Sequence, residues 1–162
     1  MAFSNRLIRA LAPVERLPAF MRTAVRSYAI GRVIKFVGTA GIRIEELTQE
    51  KSLLRLPNRR RVQNHIGGVH AAATSLLAES ATGLVVGMNL PDSRIPLFKS
   101  MHINYVRRAA GGLTAEARLT ESDRQRIRNE EKGDVTVQVH VTDANGDVPV
   151  ECEMVWAWIP KR

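Results

Sequence analysis

One cysteine, Cys152, stands in a chain of 162 residues, so no internal disulfide framework is available and a stapled secreted scaffold is excluded. A lone thiol permits a reducing compartment, and the chain is read as cytoplasmic. No run of 18 apolar residues occurs, which excludes a membrane-spanning helix of ordinary length. Aromatic residues make up 5%, too few for a stacking platform of the kind that binds single-stranded nucleic acid. The four histidines (His65, His70, His102, His140) and the cysteine show no metal-ligand spacing, so no metal or cofactor is expected. No glycine-rich phosphate loop and no Gly-x-Ser-x-Gly elbow is present. Acidic residues are scarce at the front. Residues 1–36 hold Arg6, Arg9, Arg16, Arg22, Arg26, Arg32 and Lys35 against Glu15 alone. Most of the net charge of +8 therefore lies in that segment.

What is present suits a soluble domain. Hydrophobic residues are 44% and charged residues 25%, and a chain of this length buries roughly 70% of its unfolded surface. Two parts are expected: a basic helical extension over 1–38 and a folded domain over 39–162. Residues 4–11 read as a short helix capped by Ser4 and ended by Pro13. A second helix is expected from Pro18, with Phe20, Met21, Ala24, Val25 and Tyr28 at three- and four-residue spacing. This segment has four readings: an amphipathic helix packed on the domain, an interfacial segment drawn weakly to anionic lipid over 1–36, a targeting peptide, or a basic arm for nucleic acid. No recognition motif supports the last, and no nucleic-acid partner is expected.

The body reads as strands around one helix. Ile42 and Ile44, then Leu54 and Leu56, mark two candidate strands. A polar connection with Arg59, Arg60 and Arg61 follows, then Asn64-His65-Ile66-Gly67-Gly68-Val69-His70. Val69, Ala72, Ala73, Leu76, Leu77 and Ala81 predict a helix buried on most sides, ending near Gly83. Downstream, 84–90 predicts a strand. Met101, Ile103 and Tyr105 alternate with His102 and Asn104. Residues 113–120 and 135–142 alternate strictly, a turn falls at 143–147, and 148–158 closes the chain with Trp156 and Trp158 on one face. Residues 121–133 read as a charged loop or one helical turn. Many strands after one buried helix predict an α+β fold with an antiparallel sheet.

Asn64, His70 and Glu79, with the later Met101-His102-Ile103-Asn104-Tyr105-Val106-Arg107-Arg108, resemble the hotdog-fold thioesterases. The likeness is nearest to the small acyl-CoA thioesterases of the phenylacetate-degradation type. It covers roughly residues 40–160. It implies a curved antiparallel sheet wrapped around one long helix, acyl-CoA hydrolysis, and a homodimer or dimer of dimers. Two positions depart from the pattern: Ala71-Ala72 replaces two glycines, and Phe98 falls where a Ser or Thr is usual, with Ser100 nearby.

The resemblance assigns catalysis to Glu79, Asn64, His70 and Ala71. The N–H of Ala71, in the first turn of a helix, polarises the thioester carbonyl. Glu79 is the general base, its carboxyl raised by apolar neighbours. Asn64 holds the attacking water or orients the carboxylate. Gly68, Ala72, Ser100, Arg107, Arg108, Arg59, Arg60 and Arg61 are the candidate groups for the anionic coenzyme A thioester, which enters as substrate. Glu79 lies eight residues past Ala71, roughly 12 Å along a helix, so the pair serves one thioester only across two chains. Two other readings stand beside this one: a non-catalytic hotdog module binding an acyl thioester or lipid, and a hydroxyacyl-thioester dehydratase using His65 and Glu79.

Overall fold

The alternating half of the chain builds a sheet whose face is set by period-2 burial. The structure, a computed structural model, describes residues 3–161. Strands β1 (Arg43–Leu47), β2 (Lys51–Leu56), β3 (Arg94–Tyr105), β4 (Leu113–Arg118), β5 (Gly133–Asp143) and β6 (Val150–Pro160) form one curved antiparallel sheet in the order β1-β2-β4-β5-β6-β3. Val135, Val137, Val139 and Val141 of β5 point inward, and Ala115 and Ala117 of β4 do the same. Against that face lies α4 (Ala71–Gly87). This is the hotdog arrangement.

Helix α4 corrects two sequence expectations. Residues 84–90 are not a strand: the helix continues through Leu84, Val85 and Val86, all buried. Gly83 does not end it. The absent side chain makes room for the Trp156 ring, since a Cβ at Gly83 would sit 2.5 Å from Cζ2. A helix covered on nearly every side has no polar stripe, so its period cannot be read from the sequence.

The N-terminal segment forms α1 (Arg6–Glu15), α2 (Ala19–Val33) and α3 (Lys35–Ala40). Asn5, not Ser4, caps α1: its Oδ1 accepts from the Ile8 N–H at 2.9 Å. The Asn5 amide also donates to the carbonyls of Gly87 and Leu90, both at 2.8 Å, and so closes the far end of α4. Pro13 lies inside α1 rather than ending it, and Pro18 directly precedes α2. Leu11, Val14, Ile30 and Val37 from these helices join the same buried cluster as the sheet and α4.

Two further elements differ from the sequence reading. Residues Glu121–Asn129 form a full helix, α5, started by a capping box in which Thr120 and Asp123 bond each other's backbone N–H. β3 starts well before Met101. It includes Pro96, which an edge strand tolerates, and a register shift between Phe98 and Ser100 hides its alternation.

Candidate active site at the start of the buried helix

The chain enters α4 through a tight turn. The Asn64 N–H donates to the Gly68 carbonyl at 2.8 Å, and Asn64 Oδ1 accepts from the N–H groups of Ile66 and Gly68, both at 3.1 Å. Gly67 carries φ +78°, a conformation that favours glycine. The His70 N–H then donates to the Val62 carbonyl at 2.8 Å, which fixes where the helix begins.

His70 is the N-cap. Its Nδ1 accepts from the Ala72 N–H at 3.0 Å, while its carbonyl takes the N–H groups of Ala73 and Thr74. These bonds satisfy three of the helix's leading donors. The N–H of Ala71 makes no hydrogen bond among the described residues. It is a free donor at the positive end of a 17-residue helix.

That donor borders a cleft of about 480 Å³ lined by Asn64, Gly68, Ala71, Tyr105, Arg107 and Arg108, among others. The structure therefore brings together five of the residues named from sequence. Asn64 has its oxygen engaged by the backbone, so its amide N–H₂ is the part left to act in the cleft. Arg107 pairs with Asp147 at 2.8 Å, and Arg108 donates to the Ile66 carbonyl at 3.3 Å. The segment holding both arginines is clipped to the β5–β6 turn by Asp143, which accepts from the N–H groups of Ala110, Asn145 and Asp147. Those backbone donors hold the Asp143 carboxyl below the usual carboxylate range, with Ala110 the largest contributor.

Tyr105 is a cleft residue to which the sequence reading gave no role. Its hydroxyl donates to the Ala71 carbonyl at 2.9 Å and lies 3.4 Å from Ser75 Oγ. Its place in the Met-x-Ile-x-Tyr pattern was visible. That a strand residue 34 positions away meets the first turn of α4 was not.

Other candidates lie elsewhere. Glu79 sits two turns along α4, half-buried, and Ser80 Oγ donates to it at 3.5 Å. Burial pushes its carboxyl above the ordinary value, against the smaller lowering from Ser80. Ser75 Oγ donates to the Ala71 carbonyl at 3.0 Å. His70, Ala72 and Arg61 border a separate cleft of about 200 Å³, with Phe36 and Leu76. Arg59 and Arg60 are exposed, and Arg61 reaches the Thr39 carbonyl at 3.4 Å. His65 is exposed in the Asn64 turn. Ser100 stands opposite Val155, in a register that turns it away from α4. Phe98, opposite Trp156, faces α4 and packs on that indole with ring centroids 4.9 Å apart. Cys152 is half-buried, and burial pushes its thiol up to about 11. Among the described residues no cluster of His, Cys, Asp and Glu is arranged to hold a metal ion, and no helix is long and apolar enough to cross a membrane.

One helix in a six-stranded antiparallel sheet, with a donor-bearing cleft at the helix start, defines a protein of the hotdog class. The family model described as a domain of unknown function, DUF4442, matches residues 22–159, and the chain belongs to that family. Among solved structures, PA5026 of Pseudomonas aeruginosa, a protein of unknown function described as a probable thioesterase, is 29% identical with a TM-score of 0.75. The match covers 90% of this chain and 97% of that one. The thioesterase HI1161 of Haemophilus influenzae shares the fold at 16% identity and a TM-score of 0.62, over 77% of this chain and 82% of its own. The search among curated proteins found no match.

Proposed function

We propose that this protein hydrolyses acyl-CoA thioesters as a homodimer. The observation that carries the reading is the free Ala71 N–H at the head of α4, beside a cleft bordered by Arg107 and Arg108. A thioester carbonyl set against that N–H gains a donor where negative charge develops as water adds. The two guanidinium groups suit the phosphates of a coenzyme A carrier. The similarity to PA5026 supports the thioesterase class.

The base is Glu79. Its half-buried carboxylate takes a proton from water as the water oxygen bonds the carbonyl carbon. The tetrahedral oxyanion rests on the Ala71 N–H. Collapse breaks the carbon–sulfur bond, and the proton passes to the departing thiolate. Roughly 12 Å of helix separates Ala71 from Glu79 in one chain, so each cleft takes its base from Glu79 of the partner subunit. Asn64 steadies that carboxylate or the water through its amide N–H₂. His70 positions the helix start and does not itself touch the reacting atoms.

The test is thiol release from acyl-CoAs of graded length, short to long and aromatic. Glu79→Gln is expected to lower turnover roughly 100-fold or more. The wild-type rate should rise with pH through a midpoint above the ordinary Glu range, because the base acts deprotonated and burial raises its carboxyl. Ala71→Pro removes the oxyanion donor at a first-turn position that accepts proline, after a His70 already extended at φ −66°, ψ 143°. It should fold and lose roughly 100-fold in kcat. Full activity in a folded Ala71→Pro protein would exclude this mechanism. The absence of turnover on every chain length would favour a binding module, a reading in keeping with Phe98 packed against the core where the resembling enzymes carry Ser or Thr.

A further inference from the structure

Helices α2 and α3 carry the most exposed large apolar side chains among the described residues. Phe20 is 84% exposed, Tyr28 71%, Val33 82% and Phe36 61%. Phe20, Ala24, Tyr28 and Arg32 recur every four residues, so they form one outward stripe along α2. Beside the stripe runs a groove of about 630 Å³, with Ser27, Gly31, Gly38 and Ile42 among its lining residues. The two helices cross closely at glycines: a Cβ on Gly38 would lie 2.8 Å from the Gly31 carbonyl oxygen. That contact lets the two helix backbones pack closely.

Charge says what covers this face. From residue 16 to residue 44 the chain contains no Asp or Glu but carries Arg16, Arg22, Arg26, Arg32, Lys35 and Arg43. Arg26 and Arg22 are taken by Glu15. Arg16, Arg32, Lys35 and Arg43 are exposed and join no ion pair among the described residues. A second copy docked by a two-fold axis would set this basic face against itself. An anionic surface that accepts apolar side chains satisfies both features at once.

We propose that the α2–α3 face docks the protein on an anionic lipid membrane, with Phe20 and Tyr28 entering the interface and Arg32, Lys35 and Arg43 meeting the headgroups. Helix α1 is not part of the surface. Its Leu11 and Val14 are buried, and Arg9 pairs with Asp92 at 2.7 Å.

The full chain should co-sediment with vesicles of phosphatidylglycerol and phosphatidylcholine. It should not do so with phosphatidylcholine alone, and added salt should release it. Arg32→Gln with Lys35→Gln should lower the partition coefficient roughly 30-fold, since each basic residue near an anionic surface changes it about fivefold. Phe20→Ser with Tyr28→Ser should also weaken binding while circular dichroism and Tm stay unchanged, because both rings are exposed. Equal binding to neutral vesicles, or none to anionic ones at low salt, overturns the proposal. So does sedimentation velocity showing that the Phe20/Tyr28 variant dissociates an assembly the wild type forms, for then a second copy covers the face.

Discussion

At Gly83 a missing side chain does the work of a contact. The Trp156 indole fills the space a Cβ would need, held there by its Nε1–H donating to Thr82 Oγ1 at 2.9 Å and by the tilted Phe98 ring against it. An alanine should gain about 1 kcal/mol of helix propensity and lose more through overpacking, about 1–3 kcal/mol, because the indole is pinned. Gly87 offers the contrast. A Cβ there meets only the flexible end of Leu7 at 3.4 Å. Urea denaturation should therefore show Gly83→Ala destabilised and Gly87→Ala neutral or stabilised. Equal effects at the two sites would mean that Trp156 moves freely. At the same scale His70 acts as a helix cap, its Nδ1 accepting from the Ala72 N–H.

Among the elements, α2 earns its position by covering the outer edge of β1. An unpaired strand edge exposes N–H and C=O groups that invite foreign pairing. Arg26 donates to the carbonyls of Ile44 at 3.3 Å and Glu45 at 2.7 Å, and Ser27 Oγ accepts from the Ile44 N–H at 2.8 Å. The guanidinium is buried and also bonds Glu15 at 2.5 Å. Arg26→Ala should cost about 1–3 kcal/mol through the unpaired carbonyls it leaves. Amide exchange should accelerate in β1 while β5 stays protected. Unchanged protection in β1 would show that α2 is not what shields the edge. The sequence presents Arg26 as one more basic residue of the segment. Only the packing shows that it is internal.

The molecule as a whole has two sheet edges, and α2 closes one. Along the other, β3, Leu97, Met101 and Tyr105 are 42–48% exposed. The proposed homodimer is expected to form along this 12-residue edge strand, through these exposed apolar side chains. Leu97→Asp with Met101→Asp should give a folded monomer by light scattering and should abolish thioester hydrolysis, because Ala71 and Glu79 would no longer meet. A dimer that survives both substitutions would place the interface elsewhere.

Much of this was legible in the chain. Strict alternation in 113–120 and 135–142 marks half-buried strands because successive side chains face opposite sides. The small and apolar residues from Val69 onward announce the start of a buried helix. The charge asymmetry of the first 36 residues needs no fold to be seen. The tertiary structure decided the rest. Residues 84–87 became helix because α4 is buried on nearly every side, and apolar content without a polar face carries no period. Tyr105 met Ala71, Asn5 closed α4, and Gly83 made way for Trp156 across 34, 82 and 73 positions of sequence. Local patterns set which elements form; contacts between distant residues are fixed only when the packed elements bring them within reach.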